Sequence, residues 1–158
     1  MQIVVVETKA QEREFLKFRR KVYRSAAKYV DNNYFMLQEI FEKKLNFVKT
    51  VDFEAVYVED EQGIACEGVI AYAKRLPEYV QLCFFEALPG KREAVSLLVE
   101  TAKEYGKKRG CPKLVIGLCG HLNYGLGLLD ATKELPEDAS DAEKQAFART
   151  NSFSASGN

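Results

Sequence analysis

The stretch Tyr79–Leu118 constrains the fold more than any other part of the chain. An apolar run, Tyr79–Glu86, leads into the loop Leu88-Pro89-Gly90-Lys91-Arg92. An amphipathic helix is expected from about Lys91 to Arg109, and a second apolar run, Lys113–Leu118, follows it. A strand feeding a helix feeding a strand is a right-handed crossover, so the two strands run parallel. Ala94, Leu97, Leu98, Thr101, Ala102 and Tyr105 form the inner stripe of the helix, and Gly110 is the expected stop. Lys103, Lys107, Lys108 and Arg109 gather toward the C-terminus, where the helix dipole favours cations. A short loop entering a helix N-terminus is also a natural cradle for phosphate.

The pattern before this unit is equally ordered. Gln2–Val6 reads as a short β-branched strand. Lys9 to about Lys28 is helical, with Phe15, Phe18, Val22 and Ala26 at steps of three and four and charges on the remaining faces. Thr8 is its expected N-cap. Tyr34–Leu45 gives a second helix, with Leu37, Ile40, Phe41 and Leu45 on one side. Phe53–Val58 and Ile64–Lys74 read as strands joined by the hairpin loop Glu59–Gly63, and Val80–Phe85 follows after a turn at Leu76-Pro77-Glu78. The expected fold class is therefore α/β (α+β): a mixed sheet in which an antiparallel meander precedes a parallel β-α-β crossover, with helices on both faces. Residues 1–129 would form this domain and 130–158 a polar tail. Ser140 and Glu143 are spaced as a capping box for one short helix in the tail, and its last residues look disordered.

Composition excludes several functions. Basic and acidic residues both number 23, so no clustered basic excess marks nucleic acid as a partner. The longest uncharged stretch, Leu114–Leu129, is too short and too polar to cross a bilayer comfortably. No basic segment precedes the apolar residues at the N-terminus, so no signal peptide is read there. Cys66, Cys83, Cys111 and Cys119 have no metal or redox spacing. Three of them sit in or beside expected strands as small buried residues, and a reduced, cytoplasmic protein without a metal site is the simplest expectation.

The order strand, two helices, three antiparallel strands, helix, strand resembles the GNAT fold of N-acetyltransferases. Phe15-Leu16-Lys17-Phe18 with Tyr23-Arg24, the run Cys83-Phe84-Phe85-Glu86, and Gly117–Leu129 with Asn123-Tyr124-Gly125 resemble a poorly characterised bacterial branch of that superfamily over residues 2–129. The resemblance implies acetyl-CoA or another acyl-CoA as cofactor and a small-molecule or peptide amine as acceptor. It places the cofactor along Phe84, Phe85, Leu88, Gly90, Lys91, Arg92, Glu93, Ala94 and Asn123. It implies a carboxylate that takes the amine proton and a Tyr that protonates the leaving thiolate.

Residue by residue the fit varies. The superfamily loop reads Gln/Arg-x-x-Gly-x-Gly/Ala; here Pro89 stands at the first position, Arg92 at the first Gly, and only Ala94 fits. Pro89 has no N–H to give, although the guanidinium of Arg92 can itself pair with phosphate. Glu86 is the candidate base, against the plainer expectation of a strand-end carboxylate in water. His121, the single histidine, is a second candidate base, against a hydrogen-bonded turn residue; Tyr124 is the candidate acid. Phe84 and Phe85 are adjacent, so one faces each side of the sheet and core packing accounts for both. Lys107, Lys108 and Arg109 read as a solvated face. The superfamily fold ends in a further helix and two strands, and nothing in Asp130–Asn158 reads as a strand. The alternative function is therefore a non-catalytic, degenerate fold that binds or supports, or one completed as a homo-oligomer at the edge next to Leu114–Leu118.

Overall fold

A computed structural model describes residues 1–25, 34–44, 46–117 and 140–143. The element order is β1 (Gln2–Val5), α1 (Lys9–Val22), α2 (Tyr34–Phe41), a 3₁₀ turn (Asn46–Lys49), β2 (Val51–Asp60), β3 (Gly63–Ala73), β4 (Tyr79–Ala87), α3 (Arg92–Lys107) and β5 (Lys113–Ile116). The five strands form one sheet in the order β1-β2-β3-β4-β5. The first three pairings are antiparallel, and β4 pairs with β5 in parallel, starting at Tyr79↔Lys113. The expected mixed sheet is thus present. β2 starts earlier and ends later than its apolar core suggests because Val51, Asp52, Glu59 and Asp60 all keep partners on β3. The second helix stops at Phe41 and gives way to the 3₁₀ turn, short of Leu45.

Local chemistry fixes the element ends. Thr8 caps α1 with a full capping box: its side chain accepts from the Gln11 N–H at 3.2 Å, and the Gln11 side chain accepts from the Thr8 N–H at 2.9 Å. Gly63 closes the β2–β3 turn at φ +97, where a Cβ would be strained. Gly110, at φ +71, ends α3, and the Cys111 N–H donates to the Gly106 carbonyl at 2.9 Å. The Ser140–Glu143 capping box forms as its spacing suggests.

The sheet carries a core on each face. On the α3 side Val56, Val58, Ile70, Val80 and Leu82 pack against Ala94, Leu98 and Ala102. On the other side Tyr57, Val69, Cys83 and Phe84 pack against Phe15 and Leu16 of α1 and Leu37 and Ile40 of α2. Helices therefore cover both faces, as the alternation of each strand requires.

Candidate active site

β4 breaks its own regularity near its end. Val69 pairs with Cys83 and Glu67 with Glu86, so Gly68 of β3 faces both Phe84 and Phe85 of β4. Two residues opposite one is a β-bulge. It explains why Phe84 joins Cys83 on the α1 face while Phe85 packs toward α3. Phe84 adopts φ +49, a left-handed conformation that costs a non-glycine residue about 1–3 kcal/mol. Gly68 makes room opposite: a Cβ there would lie 2.7 Å from Leu82 Cδ1 and 3.4 Å from the Cys83 carbonyl oxygen. On its other edge, the described ladder from β4 to β5 ends at Leu82↔Ile116, with the Gly117 N–H reaching the Leu82 carbonyl at 3.4 Å.

Charged residues are buried at this bulge. Arg19 on α1 is 3% exposed, and its Nη2 lies 2.6 Å from Glu86 Oε1. Its Nη1 donates toward the Phe84 carbonyl at 3.5 Å. Glu67, fully buried, is the register partner of Glu86 on one side and of Tyr57 on the other. The row Tyr57–Glu67–Glu86 thus crosses three strands on the α1 face. Burial, then the charges of Glu59 and Glu14, push the Tyr57 hydroxyl above its ordinary value. Burial also pushes the Cys66 thiol up to about 12, with the Glu67 charge adding to it.

Glu86 is accordingly not the solvated strand-end carboxylate of the plainer expectation; it is buried because the strand continues one residue beyond it and α1 lies over it. Arg19 corrects a second expectation. The spacing of α1 puts charges on its outer faces, yet Arg19 points inward. The signal was present: it lies one helical turn beyond Phe15. Glu67 went unnoticed as well, although it is the one charge inside the apolar run Ile64–Ala73.

The loop after β4 has a different character. Gly90 sits at φ +77 with open space where a Cβ would be. The N-cap of α3 is Lys91, which makes no side-chain cap. Its ammonium instead donates to Asp60 Oδ2 and Gln62 Oε1 of the β2–β3 turn, both at 2.8 Å. Arg92 and Glu93 are exposed, Leu88 is half-buried with its N–H donating to the Ala65 carbonyl, and Ala94 lies in the α3 core. The structure thus brings Gly90–Ala94 together at the start of α3, while Glu86 turns to the α1 face. His121, Asn123 and Tyr124 lie outside the described residues, as do Cys119 and the expected boundary at residue 130.

Other features resolve simply. Cys66, Cys83 and Cys111 are buried and outside any disulfide. Lys107, Lys108 and Arg109 are exposed as expected, and the Arg109 guanidinium also lies over the Tyr105 ring at 3.5 Å. A groove of about 700 Å³, lined by Val5, Phe41, Phe53, Glu54, Tyr105 and Arg109 among others, lies along β2 at the opposite edge of the sheet from β5. None of the described candidate site residues lines it. Among the described residues no group of His, Cys, Asp and Glu could hold a metal, and no helix is long and apolar enough to cross a membrane.

No family model and no curated protein matches the chain. Solved structures do. The aminoglycoside 6'-N-acetyltransferase AAC(6')-Ig of Acinetobacter haemolyticus is 13% identical with a TM-score of 0.52, covering 95% of this chain and 88% of its own. A tandem GNAT protein from the clavulanic acid biosynthesis pathway is 14% identical with a TM-score of 0.57, covering 94% of this chain and 42% of its own. A predicted acetyltransferase from Clostridium acetobutylicum, solved with acetyl-CoA, is 14% identical with a TM-score of 0.50, covering 85% of this chain and 96% of its own. At such identities the likeness is one of fold, and the fold is the GNAT, acyl-CoA N-acyltransferase fold.

Proposed function

We propose that this protein is an acyl-CoA-dependent N-acyltransferase that acts on an amine, a small molecule in preference to a peptide. The observation that carries the reading is the uncapped start of α3 beside Gly90, in a chain of GNAT fold. α1 satisfies first-turn N–H groups with a capping box; the N-cap of α3, Lys91, makes no side-chain cap. Such a turn is a ready anion site, and the open space at Gly90 lets a phosphate come close to the backbone. These residues fit the pyrophosphate of a CoA thioester.

When bound, acyl-CoA supplies an activated thioester carbonyl. The chain's own contributions follow from the site. The first-turn N–H groups of α3 and the exposed guanidinium of Arg92 hold the phosphates. Lys91 adds little, since its ammonium is held by Asp60 and Gln62. Glu86 is the proposed acceptor of the amine proton, oriented by Arg19. Tyr124 remains the proposed donor to the thiolate, with His121 as the second candidate base and Asn123 beside the cofactor. The amine acceptor follows the solved neighbour of TM-score 0.52, named for an aminoglycoside antibiotic. The proposed setting is cytoplasmic, where buried cysteines outside any disulfide are usual.

The test is calorimetry of the full chain with acetyl-CoA and with CoA. Saturable binding is expected, weakened about tenfold or more by Arg92→Glu, since one charge-assisted contact is worth about 1.5–3 kcal/mol. No heat at millimolar ligand would overturn the reading. It would favour the alternative, a non-catalytic GNAT-fold domain, for which the missing N–H of Pro89 and the engaged ammonium of Lys91 already speak.

A further inference from the structure

We propose that Arg19 is a positioning residue: its guanidinium fork sets the bulge of β4 and thereby the direction in which the Glu86 carboxylate points. Its catalytic meaning rests on the reading of Glu86 as the base; the conformational claim does not.

Three observations carry it. The fork contacts two groups two residues apart on β4, the Glu86 carboxylate through Nη2 and the Phe84 carbonyl through Nη1. In a bulge the backbone between those groups has turned, and only a planar fork of fixed shape serves both at once; an ammonium is a single point charge. Second, Phe84 holds a left-handed backbone without being glycine. Such a residue persists only where its surroundings over-determine it. Packing of the buried Phe84 ring is one constraint, and the Arg19 contact with its carbonyl is another. Third, a buried ion pair is weak evidence of stabilisation, because apolar residues of similar volume do as well. An arginine buried to 3% exposure in the last turn of α1, in a stripe otherwise filled by Phe15, Leu16 and Phe18, therefore points to specification of geometry. Through this contact α1 is coupled to the strand that leads into the α3 loop.

The experiment compares the full chain with Arg19→Gln and Arg19→Lys by backbone NMR, without ligand. The readout is the left-handed signature of Phe84 in its backbone shifts and couplings, together with the Glu86 side-chain shifts; melting temperature is followed separately. We expect loss of the Phe84 signature in folded Arg19→Gln. Arg19→Lys, which keeps the charge and loses the fork, should show a partial signature, and it decides the matter if Arg19→Gln does not fold. A wild-type signature at Phe84 in a folded variant lacking the fork overturns the proposal, even if the protein melts earlier. The two claims fail separately. Absence of acetyl-CoA binding by the wild-type chain would remove acyl transfer and leave this result standing, whereas an unmoved Phe84 would remove the positioning role and leave cofactor binding intact.

Discussion

Both faces of the sheet bury an apolar core, and among the described residues only one of them also buries charge. Under α3 the core is made of aliphatic side chains, alanines, two cysteines and the Tyr105 ring. Under α1 and α2 an apolar core of similar kind is interrupted at the β4 bulge by Arg19, Glu67 and Glu86, with Gln81 on the same face. Apolar burial is worth roughly 25 cal/mol per Å² and is non-directional, whereas buried charge must be matched in position and direction. The α3 face thus behaves as a foundation. The α1 face holds groups that a foundation does not need, and they sit where the strand ladder is irregular.

Substitutions can break this contrast. The largest effect is expected at the ion pair. Glu86→Leu takes from Arg19 the Glu86 carboxylate and should cost about 3–5 kcal/mol in denaturant unfolding. The double variant Arg19→Met/Glu86→Leu should recover most of that loss, and a double-mutant cycle measures the coupling. Additive losses would mean that the pair is not the unit proposed. Next comes Leu98→Ala, fully buried on the α3 face, at about 2–5 kcal/mol with no rescue from any partner change. Gly68→Ala should cost about 1–3 kcal/mol, because its new Cβ would press on Leu82 inside a filled core. A neutral Gly68→Ala would show that β3 yields at the bulge. Thr8→Ala, at an exposed position, should cost about 1 kcal/mol through loss of the capping box alone.

Much of the α3 face was legible in the sequence. The stripe Ala94, Leu98, Ala102, Tyr105 recurs at helical spacing, and Gly110 marks its end, because periodicity reports directly on which side is buried. The polar site was legible only in part. Glu86 stood out as a carboxylate closing an apolar run, but its burial depends on α1, which no local pattern reveals. Arg19 was hidden because a charge is ordinarily assigned to the outer face of a helix. The bulge left no mark either: Phe84 has none of the glycine or asparagine character that announces a left-handed backbone. The partners of Lys91, Asp60 and Gln62, lie some 30 positions earlier in the chain, and only the fold brings them together.

The smallest effect sharpens the same contrast from the loop side. Asp60 is held below its ordinary carboxyl value, first by the hydrogen bond from Lys91 and then by the Gln62 N–H. A carboxyl depressed in the folded state stabilises the fold above its unfolded value and loses that contribution as pH falls through the folded value. Asp60→Asn should therefore lower stability slightly at neutral pH and flatten the decline on acidification below about pH 4. The effect stays small because both side chains remain partly exposed and salt screens them. Urea melts of both proteins at pH 3 and pH 7 check this, and a stability gap that widens toward pH 3 would refute it. The same variant takes from the Lys91 ammonium beside Gly90 its Asp60 charge, leaving the neutral Gln62 contact. If the start of α3 holds phosphate, acetyl-CoA should then bind more tightly to Asp60→Asn than to the wild-type chain, and the gain should shrink with added salt. Unchanged affinity would leave the uncapped helix turn and Arg92 as the whole of the anion site.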